Sequence, residues 1–250
     1  MKIFSSELGH NYDSYTFGYV SYCLQEAGDS LADIYALGYL PYSGSRGVPD
    51  TLYMARSARV RLREMRVTSE NRRIAKKFDE HFTKERVPLQ TFDASEEFYV
   101  FCLEYFSTRH GANAMSRERL EFILHNSFIS HVIVYKDNGK PVAYVFEMRD
   151  GGAGHYWYSF YNLALVQQSL GMWLILDCVR DAKEAGLEYY YLGTVYGQKA
   201  LYKTNFGPLE WWDGSGWKSD IKLLRERGRT DEKRIIEQMD AWKEDKEFFN

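Results

Sequence analysis

Cysteine is scarce in this 250-residue chain: Cys23, Cys102 and Cys178 stand far apart and form no CxxC pair. That spacing gives neither a disulfide framework nor a zinc site. His110, His125, His131 and His155 likewise show no metal-ligand spacing. No apolar run reaches membrane-spanning length, and the opening MKIFSSELGHNY lacks the apolar core of a signal peptide. A reducing cytoplasm is the expected location. Net charge is small, −3 at pH 7, so composition as a whole makes no case for nucleic-acid binding. Internal repeats and low-complexity segments are missing as well.

What is present is ordinary for a globular chain, with 45% hydrophobic and 27% charged residues. The length suffices for one large domain or two small ones. Aromatic content is high at 16%, including 20 Tyr. Tyrosines serve recognition surfaces, but they also fill cores while keeping one polar tip. Charge is unevenly spread. Between Arg56 and Arg86 eleven Lys or Arg face five Asp or Glu, a local basic excess that either attracts phosphates or forms a solvated face.

Taken in order, Tyr19 to Ala36 is compatible with helix, broken at Gly28-Asp29-Ser30, with a second helix starting at Leu31. Gly44 to Asp50 reads as a loop. Ala58, Val60 and Leu62 alternate with Arg59, Arg61 and Arg63, which predicts a strand with one apolar and one arginine-lined face. Thr68-Ser69-Glu70 opens a helix. Further helices are expected over Ala94–Phe106 and Ser116–His125. Three strands follow from His131 to Tyr161, turned at Asp137-Asn138-Gly139 and Asp150-Gly151-Gly152. Leu170, Leu174, Ile175 and Val179 recur at helical spacing up to a Gly186 cap, and Glu188–Leu192 reads as a buried strand ended by Gly193. A short basic-aromatic helix containing Lys199, Tyr202 and Lys203 comes next. Ile235, Ile236, Met239 and Trp242 mark an amphipathic terminal helix.

The stretch from Gln167 to Trp217 carries SLG, a helix, then YYYLG, KALYK, NFGPLE and GW in that order. It resembles the C-terminal signature of the arginyl- and leucyl-tRNA–protein transferases. Upstream, ALGYLPYSG and ARVRLREMRVTSENRRIAKKF are similar to that family's N-terminal domain, and Ser69, Arg72 and Arg73 fall on its SxSQRR-like helix start. Arg109, His110 and Gly111 match an RHxDG-like feature, interrupted by Ala112. The resemblance runs over roughly residues 16–218. It implies an enzyme that transfers an amino acid, Arg or Leu, from aminoacyl-tRNA to the N-terminal amine of a protein or peptide with an acidic N-terminus. No membrane and no DNA partner are implied. The fold class it implies is α/β: a GNAT-like (N-acetyltransferase-like) mixed sheet flanked by helices, with a smaller N-terminal α+β unit. The corresponding units are residues 1–90, 91–218 and a charged C-terminal helical tail at 219–250. Where the family has a paired-cysteine segment this chain has GSRGVPDTLYMARS, so no metal or cluster role carries over. No cofactor is expected beyond the aminoacyl-tRNA donor.

Attack of a neutral amine on an activated ester needs positioning, an acceptor for one proton and donors for the developing oxyanion, but no covalent intermediate. Accordingly, no Ser-His-Asp or Cys-His arrangement stands out. The resemblance marks Asn162, Tyr202 and Lys203 as catalytic candidates. Asn162 sits where the family's YTFFDP-like segment, here starting at Tyr158, has its aspartate, and an asparagine is no general base. Tyr202 and Lys203 match an M-x-YK segment suited to the tRNA acceptor end or an acidic side chain. Ser69, Arg72 and Arg73 are candidates for the carboxylate of the acceptor, since guanidinium binds carboxylate bidentately; the plainer reading is first-turn surface charge. Gln168, Ser169 and Gly171 stand at the position of an acetyltransferase pyrophosphate loop, where a plain helix N-terminus is the alternative. Trp173, in place of a second small residue, is expected to crowd a coenzyme A pyrophosphate. Gly193 and Thr194 close the central strand, where α/β sheets hold ligands. Two rival functions stay open: an acyl-CoA-dependent N-acyltransferase, and a non-catalytic homologue that binds tRNA or degron peptides.

Overall fold

A computed structural model of the chain describes residues 1–11, 16–43, 49–111, 114–126 and 128–244. The loop residues Gly44 to Val48, the interrupting Ala112, and the side chains of Ile235, Ile236, Met239 and Trp242 lie outside the described residues.

Strands β1 (Lys2–Asn11) and β2 (Thr16–Leu24) precede helix α1 (Leu31–Ala36), and β3 (Tyr39–Pro41) and β4 (Thr51–Met54) follow it. These four strands form an antiparallel sheet in the order β1-β2-β4-β3. The segment from Tyr19 to Leu24, expected as helix, is therefore strand. Its β-rich residues Tyr19, Val20, Tyr22 and Cys23 have β1 on one side, with β4 pairing Tyr22 to Leu24 on the other, and such partners outweigh a weak helical spacing. The second expected helix does begin at Leu31, with the Ser30 side chain accepting from the Asp33 N–H as its N-cap.

Eight strands build the main sheet: β5 (Ser57–Arg61), β6 (Thr83–Pro88), β7 (His131–Asp137), β8 (Lys140–Asp150), β9 (Ala153–Tyr161), β10 (Tyr189–Thr194), β11 (Leu209–Trp212) and β12 (Trp217–Lys218). Their order is β12-β11-β5-β10-β9-β8-β7-β6. Only β9 and β10 run parallel; the other pairs are antiparallel. Both β5 and β6 come from before residue 90, so this sheet crosses that position.

Helices α2 (Ser69–Phe78) and α5 (Leu170–Glu184) cover one face. Helix α3 (Glu96–His110) covers the other, its Phe98 packing on Tyr144 and Phe146 of β8, with α4 (Arg117–Leu124) beside it. Thr68, Ser95 and Ser116 cap α2, α3 and α4 through their side-chain oxygens, each stabilising by about 1 kcal/mol. The hairpin read at Asp137-Asn138-Gly139 is formed, with φ +48° at Asn138 and +82° at Gly139, the left-handed pair that tight hairpins need. After β10 the basic-aromatic segment forms 3₁₀ turns over Gln198–Asn205. Helix α6 (Ile221–Glu244) closes the chain. No described helix is long and apolar enough to cross a membrane.

Arg59, on the arginine face of β5, is internal. Arg59 is sandwiched between the Tyr189 and Trp217 rings, 3.8 and 3.9 Å from their centroids, and its guanidinium bonds Glu210 at 2.8 Å. Under α5 lies a second ionic cluster. Glu147 is fully buried and accepts from Arg86 Nε and Arg149 Nε, each at 3.0 Å, and from the Tyr190 hydroxyl at 2.9 Å. Asp181 takes the far ends of both arginines. Burial pushes the Asp181 carboxyl up, but the bonds from Arg86 and Arg149 and the Lys84 charge outweigh it and hold it at about 2. Replacing Glu147 with Ala strands two guanidiniums in the interior and is expected to cost on the order of 3–5 kcal/mol in chemical denaturation. A loss below about 1 kcal/mol would mean that Asp181 alone compensates them.

Candidate functional site

The site begins where two parallel strands part. β9 and β10 pair at Tyr189–Ala153, Tyr190–Gly154 and Tyr191–His155, and no further. Beyond that point β10 stays on β5 as far as Thr194, with a register shift between Tyr191 and Gly193, while β9 stays on β8. Gly193 takes φ +80°, which an L side chain rarely adopts. The parted strands open a cavity of about 750 Å³ lined from β9 by Tyr156, Tyr158 and Tyr161 and from β10 by Leu192, Gly193 and Thr194.

Other elements complete the wall. Ser169, Gly171 and Met172 bring the N-terminus of α5 to it. Ser169 sits at φ +73° without a side-chain cap, and the first turn of α5 has no acidic residue, so its positive dipole end is not neutralised from within. Gly171 lies against the Tyr161 hydroxyl, 2.7 Å from where a Cβ would be. Tyr105, Arg109 and His110 come from the end of α3, and Lys199, Tyr202 and Lys203 from the 3₁₀ segment. Leu40, Ser43 and Tyr53 belong to the N-terminal sheet region, tied on by a 2.7 Å bond between the Ser43 and Tyr158 hydroxyls and by Arg119 Nε on the Ser43 carbonyl. Among the described residues no Asp or Glu lines this cavity.

Lys203 is the most perturbed cation here. Its Nζ donates to the Thr194 carbonyl at 2.7 Å, and burial lowers its pKa to about 8, so a usable fraction is neutral near neutral pH. Across Gly193 stands His155, 1% exposed. A Cβ on Gly193 would lie 3.6 Å from Lys203 Nζ and 3.7 Å from His155 Nε2, so the missing side chain leaves the two nitrogens facing one space. His155 Nδ1 is 2.9 Å from the Tyr35 hydroxyl, whereas Nε2 is buried without a partner. Burial first, and the Lys203 charge second, lower the His155 pKa to about 3. At the rim, burial together with the Arg109 and Lys199 charges lowers the His110 pKa.

Of the residues singled out in the sequence, Tyr158, Ser169, Gly171, Gly193, Thr194, Tyr202 and Lys203 are brought together in this cavity. The others are placed outside its lining. Asn162 uses its Oδ1 to accept from the Ala164 N–H, capping the turn after β9. Gln168 lends its carbonyl to Lys77. Ser69 is the first residue of α2; there Arg73 pairs with Glu70 at 2.6 Å and Arg72 bonds the Val67 carbonyl. Trp173 does not crowd the loop as expected. Helical phase turns it into the core, where it meets Phe78 tilted and Phe82 and Tyr135 edge-on, and its Nε1 donates to Asp79 at 2.8 Å. His155, which the sequence marks only by its lack of metal-ligand spacing, also lines the cavity, and nothing in its neighbours Gly154 and Tyr156 signals it.

A model of the acetyltransferase (GNAT) domain matches residues 69–204. The "Aspartate/glutamate leucyltransferase" of Hyphomonas neptunium is 31% identical over 175 residues, 65% of this chain and 67% of that protein. The protein of the same name from Chromobacterium violaceum is 34% identical over 136 residues, 51% of this chain and 54% of that one. This chain thus spans between about half and two thirds of these relatives' lengths. Among solved structures, L-PGS from Bacillus licheniformis superposes with a TM-score of 0.46 at 15% identity, over 70% of this chain and 65% of that one.

The depressed Lys203 pKa has a measurable sign. An unfolded chain holds the lysine proton up to about 10.5, the folded chain only up to about 8, so stability is expected to rise with pH between those values. Competitive acylation across that range should show Lys203 turning reactive near pH 8, and the Lys203→Met variant should lose that part of the stability slope. Reactivity first appearing near pH 10 would place the ammonium in water.

Proposed function

Because the chain belongs to the GNAT-domain aminoacyltransferase family that includes the aspartate/glutamate leucyltransferases, we propose that it transfers leucine from leucyl-tRNA to the α-amine of a protein or peptide beginning with Asp or Glu. One observation carries the choice: the cavity at the parted strands is lined by cations and rings and, among the described residues, by no carboxylate. A buried guanidinium without a carboxylate is costly, which disfavours an arginyl donor there. Leu40, Val166, Met172, Ile175 and Leu192 instead offer an apolar surface to a leucyl side chain. Arg109 and Lys199 at the rim suit an anion, the acidic side chain of the acceptor or a phosphate of the tRNA end.

The reaction forms one bond and breaks one. The neutral amine attacks the ester carbonyl, the C–N bond forms, the C–O bond to the terminal ribose breaks, the amine gives up one proton, and the ribose oxygen takes one. Lys203, neutral for part of its population, is the group suited to carry that proton. Tyr202 and Tyr158 supply hydroxyls at the wall, Gly193 and Thr194 the close backbone, and Ser169 and Gly171 the helix end that favours negative charge. As written, the transfer takes the aminoacyl-tRNA as its donor and calls on no further cofactor.

Purified protein mixed with leucyl- or arginyl-tRNA and peptides beginning with Asp, Glu, Lys or Arg is read by mass. A gain of one leucyl residue on the Asp and Glu peptides is expected, with Lys203→Ala slowing it on the order of 10²-fold. Gain from arginyl-tRNA would reverse the donor assignment. Bound tRNA with no product would favour the non-catalytic alternative, and product from an acyl-CoA in place of tRNA would favour the acyl-CoA one.

A further inference from the structure

The most informative atom in the cavity is one the family motifs do not include. His155 ends the paired part of β9 and its ring is buried, yet Nε2 meets no partner. Leaving a buried acceptor unpaired costs roughly 1–3 kcal/mol, and most buried polar atoms are paired. Here the residue that carries it lines a cavity that also holds Lys203, and Nε2 and Lys203 Nζ lie 3.7 and 3.6 Å from the position of a Gly193 Cβ.

We propose that His155 is a catalytic residue, whose Nε2 accepts one N–H of the incoming amine and so aims the amine lone pair at the ester carbonyl, and that Tyr35 is its positioning residue. This rests on the transferase reading above and adds the amine subsite to it. The tautomer follows from the surroundings. Nδ1 and the Tyr35 hydroxyl are 2.9 Å apart, so one donates to the other. The Lys203 ammonium lies across Gly193 from Nε2 and favours the tautomer that turns a lone pair, not an N–H, towards it. Nδ1–H therefore donates to the Tyr35 oxygen, and Nε2 is an acceptor. The groups that bear on the ring are Tyr35 from α1 and Lys203 from the 3₁₀ segment, and Tyr191 of β10 packs edge-on to Tyr35. Burial and the Lys203 charge keep the ring neutral, so the acceptor persists across the working pH range.

The geometry also divides the work. A neutral primary amine has two N–H groups and one lone pair. His155 holds one N–H without taking its proton, because its basicity is too low to keep it. The other proton is lost as the C–N bond forms and passes through Lys203 to the ribose oxygen that leaves. Tyr35 touches neither reactant; it fixes the ring from the N-terminal sheet region, its own ring edge-on to Tyr191 at 5.0 Å. The N-terminal region thereby enters the chemistry through a contact 120 residues long in sequence.

The test reads the imidazole itself, so it remains informative if leucine proves not to be the group transferred. The full chain, labelled with nitrogen-15 in histidine, is recorded from about pH 5 to about pH 8, with His155 assigned by its loss in His155→Gln. The expected spectrum is a neutral ring with the proton on Nδ1, whose Nε2 signal moves on adding an Asp-initiated peptide and stays still with the same peptide N-acetylated. A proton on Nε2, a charged ring in that range, or an equal response to both peptides would overturn the proposal. Where transfer is measurable, Tyr35→Phe should raise KM for the peptide on the order of tenfold and leave KM for the charged tRNA unchanged. Equal changes in both constants would make Tyr35 merely structural.

Discussion

Backbone pairing between β9 and β10 stops after His155 and Tyr191, and the cavity, its lining and its charges all follow from that parting. The strands do not fray; each is held on its outer side, β10 by β5 through Thr194 and β9 by β8 through Tyr161. Interior backbone that gives up its ladder needs other partners. The Thr194 carbonyl finds one in Lys203 Nζ, and so the gap between the strands also draws the ammonium into partial burial. Gly193 is the hinge of this arrangement, since L side chains rarely take φ +80° and a Cβ there would stand between Lys203 and His155.

Charge is partitioned with equal consequence. The basic excess between Arg56 and Arg86 looks like a phosphate-attracting surface when counted along the chain, yet four of its eleven cations are paired internally. Arg56 pairs with Asp231, Arg59 with Glu210, Arg86 with Glu147 and Asp181, and Lys84 with Asp177. The cations facing the cavity, Arg109, Lys199 and Lys203, come from other parts of the chain, and no described carboxylate lines the space they share. The positive field at the parted strands therefore comes from these three cations rather than from the arginine-rich strand.

Local signals that depend on backbone geometry were legible. The Asn138-Gly139 turn, the Gly186 cap at φ +79° and the helix starts at Leu31 and Ser69, capped by Ser30 and Thr68, all occupy the positions their residue types favour. Two readings turned on partners that sequence spacing does not contain. Tyr19 to Leu24 became strand because β1 and β4 lie beside it, and Trp173 pointed into the core because Phe78, Phe82 and Asp79 form a slot for it. Arg72 and Arg73 matched a motif, but their guanidiniums are engaged within their own helix start, at Val67 and Glu70.

The sequence by itself determined helices α2 to α5 and the strands from His131 to Tyr161, because those depend on periodicity, caps and turns within a few residues, while its resemblance to the tRNA–protein transferases pointed to the GNAT-like α/β class and to the residues from β10 to Lys203. Only the tertiary structure decided which polar atoms are left without partners. Tyr35 reaches His155 across 120 residues, Lys203 meets the end of β10, and the acids are drawn away to Arg86, Arg149 and Arg59. Hydrogen-bond satisfaction and desolvation are sums over everything that packs around an atom, and no stretch of chain carries that sum alone.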